Sequence, residues 1–330
     1  MPTLLDSISI GSLKLQNRIV MPPMATDRAT ADGEVTDSLI NHYTQRAKEM
    51  GLLITEHSYV TFEGKFSRNQ LGIYEDRLIE GLSKLTAEVH KKGTPIAAQI
   101  NHAGGRSTSN VTGTQPVAPS PVCAPESTEV PRELTSSELD GLVEAFRQAA
   151  RRAVKAGYDA VEIHGAHGFL LSEFISPLTN KRSDEYGGSL ENRVRFPLRI
   201  VQAVRDEIDA QFPLLYRLGA DDRLPGGLTP SESVKIAKSL VEAGLDALDI
   251  SGGLCGSRPA GSERQGYFLY LAETIRKAVE VPVIGVGGIK DPRFANEAVW
   301  KGRADLVAVG RAILADPDWA VKAAKTLSRT

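Results

Sequence analysis

The chain has 330 residues, of which 41% are hydrophobic and 24% charged, as expected for a globular protein with a large core. Its 39 basic and 41 acidic residues give a formal charge of −2, so nothing indicates binding to nucleic acid or to an anionic membrane. Because no leader and no membrane-spanning apolar run is recognisable, we expect one cytoplasmic domain over residues 1–330. The two cysteines, Cys123 and Cys255, are too few for a disulfide framework or an all-cysteine metal cluster.

Short apolar runs alternate with helical patterns from one end of the chain to the other. Leu4 to Asn17 predict a hairpin, and Thr36 to Met50 predict the first of several amphipathic helices. Two later helices begin with capping boxes, at Thr135–Glu138 and Thr229–Glu232. Eight buried strands are predicted, at 18–24, 51–59, 95–102, 160–167, 213–220, 247–253, 282–288 and 306–311.

This order of elements predicts an α/β protein of the (β/α)8 TIM-barrel class, with the N-terminal hairpin capping the barrel bottom. An open doubly wound sheet would normally carry a glycine-rich loop after its first strand, whereas residues 22–26 contain no glycine. Residues 107–131, rich in proline and serine, are expected to form a long loop after the third strand. In such barrels the chemistry takes place at the carboxyl ends of the strands.

Glycines cluster at three neighbouring strand ends. The sixth strand ends in Ser251-Gly252-Gly253, the seventh in Gly287-Gly288 and the eighth in Gly310-Arg311. Glycines at isolated turns would only relieve crowding, but three clusters together with an arginine predict a phosphate-binding rim.

The fourth strand ends with His164 and His167, three residues apart in a glycine-rich turn. Two imidazoles at this place could bind a metal, but no third ligand lies close in the sequence, so no metal is predicted. They would otherwise donate hydrogen bonds to one oxygen atom of a ligand. Gln99 and Arg217, from the third and fifth strands, add an amide and a buried cation to the same end of the barrel.

Taken together, these residues resemble the Old Yellow Enzyme family of FMN-dependent oxidoreductases. The resemblance covers nearly the whole chain and is most specific over residues 164–193. It is a resemblance to the compact single-barrel form, without an iron–sulfur cluster. It implies FMN as a tightly bound cofactor, NADPH or NADH as a diffusible hydride donor, and reduction of electron-poor alkenes by a ping-pong mechanism.

The resemblance also implies a role for each site residue. Pro23, Met24 and Ala25 would line one side of the flavin, Gln99 would bind its pyrimidine edge, and Arg217 would lie near N1. The FMN phosphate would be held at the rim, by Ser251, Gly252, Gly287, Gly288, Gly310 and Arg311. His164 and His167 would be the catalytic pair that binds the substrate oxygen, with Phe169 and Tyr267 as further substrate-binding residues.

The sequence departs from the family pattern at Phe169, where the family usually has a proton-donating tyrosine. A positioned general acid is worth about 10²–10⁴-fold in rate. Tyr59, Tyr267 and Tyr270 are candidate substitutes, and water is another. Arg329 could reach the site of a neighbouring subunit, which would make the protein a homo-oligomer.

Two alternative functions stay open at this stage. The first is a flavin dehydrogenase or a diaphorase that reduces quinones, which needs no tyrosine proton. The second is a flavin-free, phosphate-binding isomerase or aldolase, which would usually place a catalytic lysine at a strand end, where none is found. In every case the expected partner is a small-molecule substrate.

Overall fold

A computed structural model describes residues 1–123, 125 and 127–328 of the chain. Among these residues, eight parallel strands close into a barrel. In chain order the barrel strands are Ile19–Met21, Leu52–Ile54, Ile96–Asn101, Ala160–Gly165, Leu214–Gly219, Ala247–Ser251, Val283–Gly285 and Leu306–Ala308. The ring closes because the eighth strand pairs with the first and the second pairs with the third. The predicted TIM barrel is confirmed.

Helices surround the barrel and join successive strands. They are Asp37–Arg46, Ile79–His90, Ser109–Thr112, Ser136–Lys155, Leu170–Ile175, Leu190–Glu207, Pro230–Glu242, Leu269–Arg276, Pro292–Trp300, Arg311–Ala315 and Trp319–Leu327. Both predicted capping boxes are formed: Thr135 and Thr229 each accept a bond from the backbone N–H three residues later. No helix in the described part of the chain combines the length and the apolar character needed to cross a membrane.

Several predicted strands are longer than the observed ones. The run 51–59 is interrupted: Leu52–Ile54 belongs to the barrel, and Ser58–Tyr59 forms a separate short strand. The first strand ends at Met21, before two prolines that cannot donate to a neighbouring strand. The eighth ends at Ala308, so Arg311 begins a helix instead of ending a strand. The predicted loop 107–131 also contains a short helix and the strand Val117–Ala118.

The N-terminal hairpin closes the bottom of the barrel. Its strands, Ile8–Ile10 and Leu13–Leu15, pair in antiparallel fashion. Ile10 and Leu15 are completely buried and join one apolar cluster with inward-facing barrel residues such as Leu215. The hairpin therefore seals the amino-terminal end of the strands, as predicted, and leaves the carboxyl-terminal end open for a site.

The upper half of the barrel interior is polar. Side chains two residues apart on a strand point the same way, so the residues above the apolar cluster also face inward. They include Gln99, Glu162, His164, Arg217 and Asp249, all less than 5% exposed. The strand register places Gln99 beside Glu162, and Arg217 between His164 and Asp249. Five neighbouring strand positions thus present hydrogen-bonding or ionisable groups to one small volume.

Candidate active site

A cavity of about 500 Å³ opens at the carboxyl ends of the strands, within the range of roughly 300–1,000 Å³ that is usual for small-molecule sites. It brings together most of the residues predicted from the sequence. Those that line it are Pro23, Met24, Ala25, Gln99, His164, His167, Phe169, Arg217, Tyr267, Gly288, Gly310 and Arg311. The cavity is therefore the site in which their chemistry has to be judged.

The two histidines of the fourth strand end meet across a tight turn. His164 lies inside the strand and is buried, whereas His167 follows it with a φ of 60°. A positive φ is uncommon for a residue with a side chain, and such residues concentrate at functional sites. The turn brings the ring centroids to 5.2 Å from each other. Both imidazoles can therefore address the same ligand atom.

The partners of these rings show which nitrogens face the cavity. His167 Nε2 lies 2.7 Å from Ser251 Oγ, so its Nδ1 is the nitrogen left for a ligand. His164 Nδ1 is buried and has no hydrogen-bond partner among the described residues. Buried N–H groups without a partner are rarer in proteins than buried acceptors without one, so we assign the proton of His164 to Nε2. Each ring then offers one N–H to the cavity.

Both rings are electrically neutral at physiological pH. Burial is the main cause that lowers the pKa of each histidine well below its ordinary value, and the nearby cations Arg217 and Arg106 act in the same direction. Neutral imidazoles donate hydrogen bonds without bringing a positive charge. No group of three histidine, cysteine or acidic side chains that could hold a metal occurs in the described ranges. The arrangement is suited to polarising a ligand oxygen.

The floor of the cavity is a small buried polar network. Gln99 donates through Nε2 to Glu162 Oε2 at 2.7 Å, while its own Oε1 is buried without a partner in the described structure. Arg217 Nε lies 3.2 Å from Asp249 Oδ2. Burial raises the pKa of Glu162 and of Asp249. The positive charge of Arg217 opposes this effect at both carboxyl groups. The Gln99 oxygen is available to a donor on a ligand.

The glycine rim leaves no room for larger side chains. A Cβ atom added to Gly288, whose φ is +64°, would lie 2.7 Å from Arg311 Nη2. A Cβ atom on Gly310 would lie 3.0 Å from Met24 Sδ. Arg311 Nη2 also donates to the Tyr267 hydroxyl at 3.1 Å. Backbone and guanidinium therefore approach closely at the place where a phosphate is expected.

Comparison with known proteins places this cavity in context. Residues 3–330 match the model of the NADH:flavin oxidoreductase / NADH oxidase family. The chain belongs to this family. FMN is the cofactor of that family and NADH or NADPH its hydride donor, as the resemblance implied.

Individual relatives agree with the assignment. The chain is 46% identical over 98% of its length to an NADH oxidase of Thermoanaerobacter brockii, of which it spans 50%. It is 42% identical to an NADPH dehydrogenase of Clostridium acetobutylicum, with 97% of this chain and 94% of that protein covered. A solved Old Yellow Enzyme homologue from Zymomonas mobilis superposes with a TM-score of 0.89 at 32% identity, over 98% of this chain and 93% of that chain. The chain thus spans half of the first of these three proteins and more than nine-tenths of the other two.

The residues of the cavity fit FMN. The unpartnered Gln99 Oε1 can accept from an N–H of the flavin pyrimidine ring. Arg217 lines the cavity with a buried guanidinium, a fixed positive charge that would stabilise negative charge on the flavin. The narrow rim at Gly288, Gly310 and Arg311 fits a phosphate group.

Three residues predicted to bind the cofactor do not line the cavity. Ser251 contacts His167, and Gly252 accepts the backbone N–H of the same histidine at 3.1 Å. Gly287 has a φ of +137°, and a Cβ there would meet Tyr267 N at 2.7 Å. These positions support the turn and the rim from behind. Their proposed phosphate contacts stay predictions.

The tyrosines considered as proton donors have other neighbours. Tyr267 donates its hydroxyl to Ser257 O at 2.9 Å, beside the glycine rim. Tyr270 donates to Asp221 Oδ2 at 2.7 Å, and neither Tyr59 nor Tyr270 is among the residues that line the cavity. Arg329 lies outside the described residues. Of the three candidates only Tyr267 lines the cavity, and its role as a proton donor stays a prediction.

Some cavity residues were missed by the sequence reasoning. His57, Phe66, Arg106 and Cys255 all line it. Arg106 donates through Nη1 to His167 O at 2.6 Å, and its guanidinium carbon lies 5.0 Å from the centre of the Phe169 ring. His57 lies three residues after the strand Leu52–Ile54, inside the run 51–59 that was predicted as one strand, so the early end of that strand is the signal that was missed.

Proposed function

We propose that this chain takes hydride from NADH or NADPH and reduces the C=C bond of electron-poor alkenes such as enones, enals, imides and nitroalkenes. The two neutral histidines at one end of the cavity carry this proposal, because they can hold a single substrate oxygen. FMN, when bound, supplies the hydride. Nicotinamide and alkene would use the one cavity in turn, which gives ping-pong kinetics. A cytoplasmic location fits such a reaction and stays a prediction.

His164 and His167 act on the substrate oxygen. When hydride adds to one alkene carbon, the electron pair of the C=C bond moves toward the carbonyl oxygen. Two N–H groups already aimed at that oxygen stabilise its growing charge without reorganising. A proton must then reach the other alkene carbon. Phe169 has none to give, so water is the proposed source.

A second candidate function follows from the same phenylalanine. Phe169 is 4% exposed and packs 5.0 Å, ring to ring, from His164. Reduction of a quinone leaves both protons on oxygen, where solvent supplies them easily. A diaphorase would therefore lose nothing by having phenylalanine here. The flavin-free isomerase is set aside, because the chain belongs to a family of flavin enzymes.

Phe169→Tyr separates the two candidates. If alkene reduction is the function, the new hydroxyl should raise kcat for cyclohex-2-enone by about 100-fold, at the lower end of the range for a positioned general acid. Turnover of a quinone should stay within about twofold, since it needs no carbon-bound proton. Anaerobic oxidation of NADPH, followed at each acceptor concentration, measures both. Quinone turnover with no enone turnover in either protein would establish the diaphorase instead.

A further inference from the structure

A third imidazole lines the cavity beside the histidine pair. His57 is 8% exposed and follows the second barrel strand. Its ring centroid lies 6.1 Å from that of His164 and 5.1 Å from that of Phe169. Phe169 is equally close to His164, at 5.0 Å. The three rings thus form a triangle in the cavity wall, in which the two imidazoles are neighbours and the apolar ring of Phe169 contacts both.

Gln70 fixes which nitrogen of His57 carries the proton. The Phe66 backbone N–H donates to Gln70 Oε1 at 2.7 Å, and Gln70 Nε2 donates to His57 O at 2.8 Å. These two bonds determine the orientation of the amide. Its Nε2 also lies 2.7 Å from His57 Nδ1, so Nδ1 accepts and the proton is on Nε2.

The Nε2–H of His57 is the group left for a ligand. It has no hydrogen-bond partner among the described residues, although the ring lines the cavity. Burial, followed by the positive charge of Arg106, lowers the pKa of His57 to about 4. The charges around it are Arg106, Arg217 and Asp27, of which only the last favours protonation. The ring is thus a neutral donor at physiological pH.

We propose that His57 binds a second acceptor atom of the substrate, so that the site selects alkenes flanked by two carbonyl groups, such as ene-1,4-diones and cyclic imides. This inference rests on the proposed function. His164 and His167 hold the first oxygen, the carbon skeleton lies against Phe169, and His57 Nε2–H donates to the second oxygen. Two imidazoles about 6 Å apart beside one apolar ring match a molecule that carries two acceptor atoms on an apolar skeleton.

The chemistry of such an alkene suits a site without a tyrosine. Hydride adds to one alkene carbon, the π electron pair moves onto the carbonyl oxygen held by the histidine pair, and water protonates the other carbon. A second carbonyl withdraws electron density and makes the hydride addition easier. His57 does not supply the proton, because loss of its Nε2–H would leave an imidazolate anion. Its role is to bind and orient the substrate.

Binding of unreactive ligands to the oxidised holoenzyme tests the proposal directly. Cyclohexane-1,4-dione and cyclohexanone differ by one carbonyl, and each can be titrated through the flavin absorption spectrum. His57→Phe keeps an aromatic ring and removes the N–H, so it should weaken dione binding about five- to tenfold, as loss of one neutral hydrogen bond does. Ketone binding should change less than about twofold.

Two further variants serve as matched controls. His57→Gln keeps a donor at similar reach and should bind the dione within about twofold of wild type. His57→Asn is equally polar but shorter, and should lose the dione as His57→Phe does. If the phenylalanine variant does not fold, the glutamine and asparagine pair gives the same comparison. Equal weakening of dione and ketone, or no weakening in the variants without the donor, would overturn the proposal.

Steady-state kinetics distinguish a failure of the proposed role of His57 from a failure of the proposed alkene reduction. The substrates are 2,6,6-trimethylcyclohex-2-ene-1,4-dione and the same enone without its 4-carbonyl group. His57→Phe should raise KM for the dione about fivefold more than it raises KM for the enone. A wild-type protein that reduces neither compound would refute alkene reduction itself. A wild-type protein that reduces both, with a His57→Phe variant that treats them alike, would refute only the role of His57.

Discussion

At the bottom of the barrel, the inward-facing side chains are aliphatic, whereas at the top they are amides, imidazoles and ions. The bottom cluster includes Ile10, Leu15, Leu52 and Leu215, all fully buried. On the same fifth strand, Arg217 stands only two residues beyond Leu215 and faces the same interior. Leu215 is stabilised by burial alone, since apolar area is removed from water. Arg217 is also buried, and its charge needs a partner because it is removed from water.

The difference teaches how to recognise the functional end of such a barrel. A barrel can be filled by aliphatic side chains, as its bottom shows, so the polar top is not needed for closure. Its buried groups are only partly satisfied: Gln99 Oε1 has no partner among the described residues, and one N–H group of each site histidine faces the cavity. Unsatisfied buried polar groups cost free energy. A molecule bound at this end of the barrel would complete their bonds.

The largest expected effect comes from removing the cation at the top. Arg217→Met leaves Asp249 buried without its partner at 3.2 Å, and should lower the free energy of unfolding by about 4 kcal/mol near neutral pH. The pKa of Asp249, already raised by burial, rises further in the variant. A raised carboxyl pKa costs stability as pH increases, so the loss should be smaller at acidic pH. Denaturant unfolding at several pH values measures it.

Replacing the partner as well distinguishes this account from simple loss of packing. Arg217→Met combined with Asp249→Asn should recover most of the stability, because no unpaired charge remains. A double variant as unstable as the single one would show that the guanidinium acts through packing alone.

Leu215→Ala is the matched change at the bottom of the same strand. It removes buried carbon and leaves a cavity, which should cost about 3 kcal/mol of unfolding free energy. This loss should not depend on pH, and the affinity of the folded protein for FMN should be unchanged. Equilibrium unfolding and FMN titration of refolded protein check both points. A large fall in FMN affinity would contradict the view that the bottom of the barrel provides stability and only the top binds the cofactor.

A smaller effect is expected at the glycine rim. Gly288→Ala places a Cβ at 2.7 Å from Arg311 Nη2, on backbone with a φ of +64°. Backbone strain and displacement of the guanidinium should weaken FMN binding by about tenfold. The substitution should also lower the free energy of unfolding of the apoprotein by about 1 kcal/mol. Gly93→Ala is a fitting control, because Gly93 also has a positive φ and no atom within 4 Å of the added Cβ, and it does not line the cavity. Equal FMN affinities in the two variants would argue against a phosphate at Gly288.

Much of this division could be predicted from the sequence, and the reasons differ between residues. His164, Arg217 and Gly310 lie at the ends of apolar runs, and the barrel class alone puts those ends together. The hairpin was predictable from alternating residues next to a glycine. Residues whose role depends on contacts between distant segments were harder to assign.

His57 and Ser251 show where sequence reasoning stopped. The role of His57 depends on Gln70, which reaches back across a loop that no periodicity describes. Ser251 is the last residue of an apolar strand, so a phosphate contact was predicted for it, but the turn at His167 places that imidazole 2.7 Å from its hydroxyl. Register between strands and the path of a loop decide such pairings, and neither is encoded in a local pattern.

Titration of the holoenzyme with a phenol tests the central claim most directly. A phenolate resembles the oxygen-centred charge that the proposed reaction develops, and it should bind between His164, His167 and the flavin, with a change in the flavin absorption spectrum. His164→Ala should weaken this binding by about 100-fold, as expected when a donor to a charged oxygen is lost. A purified protein without bound flavin, or equal phenol affinity in wild type and variant, would contradict the account.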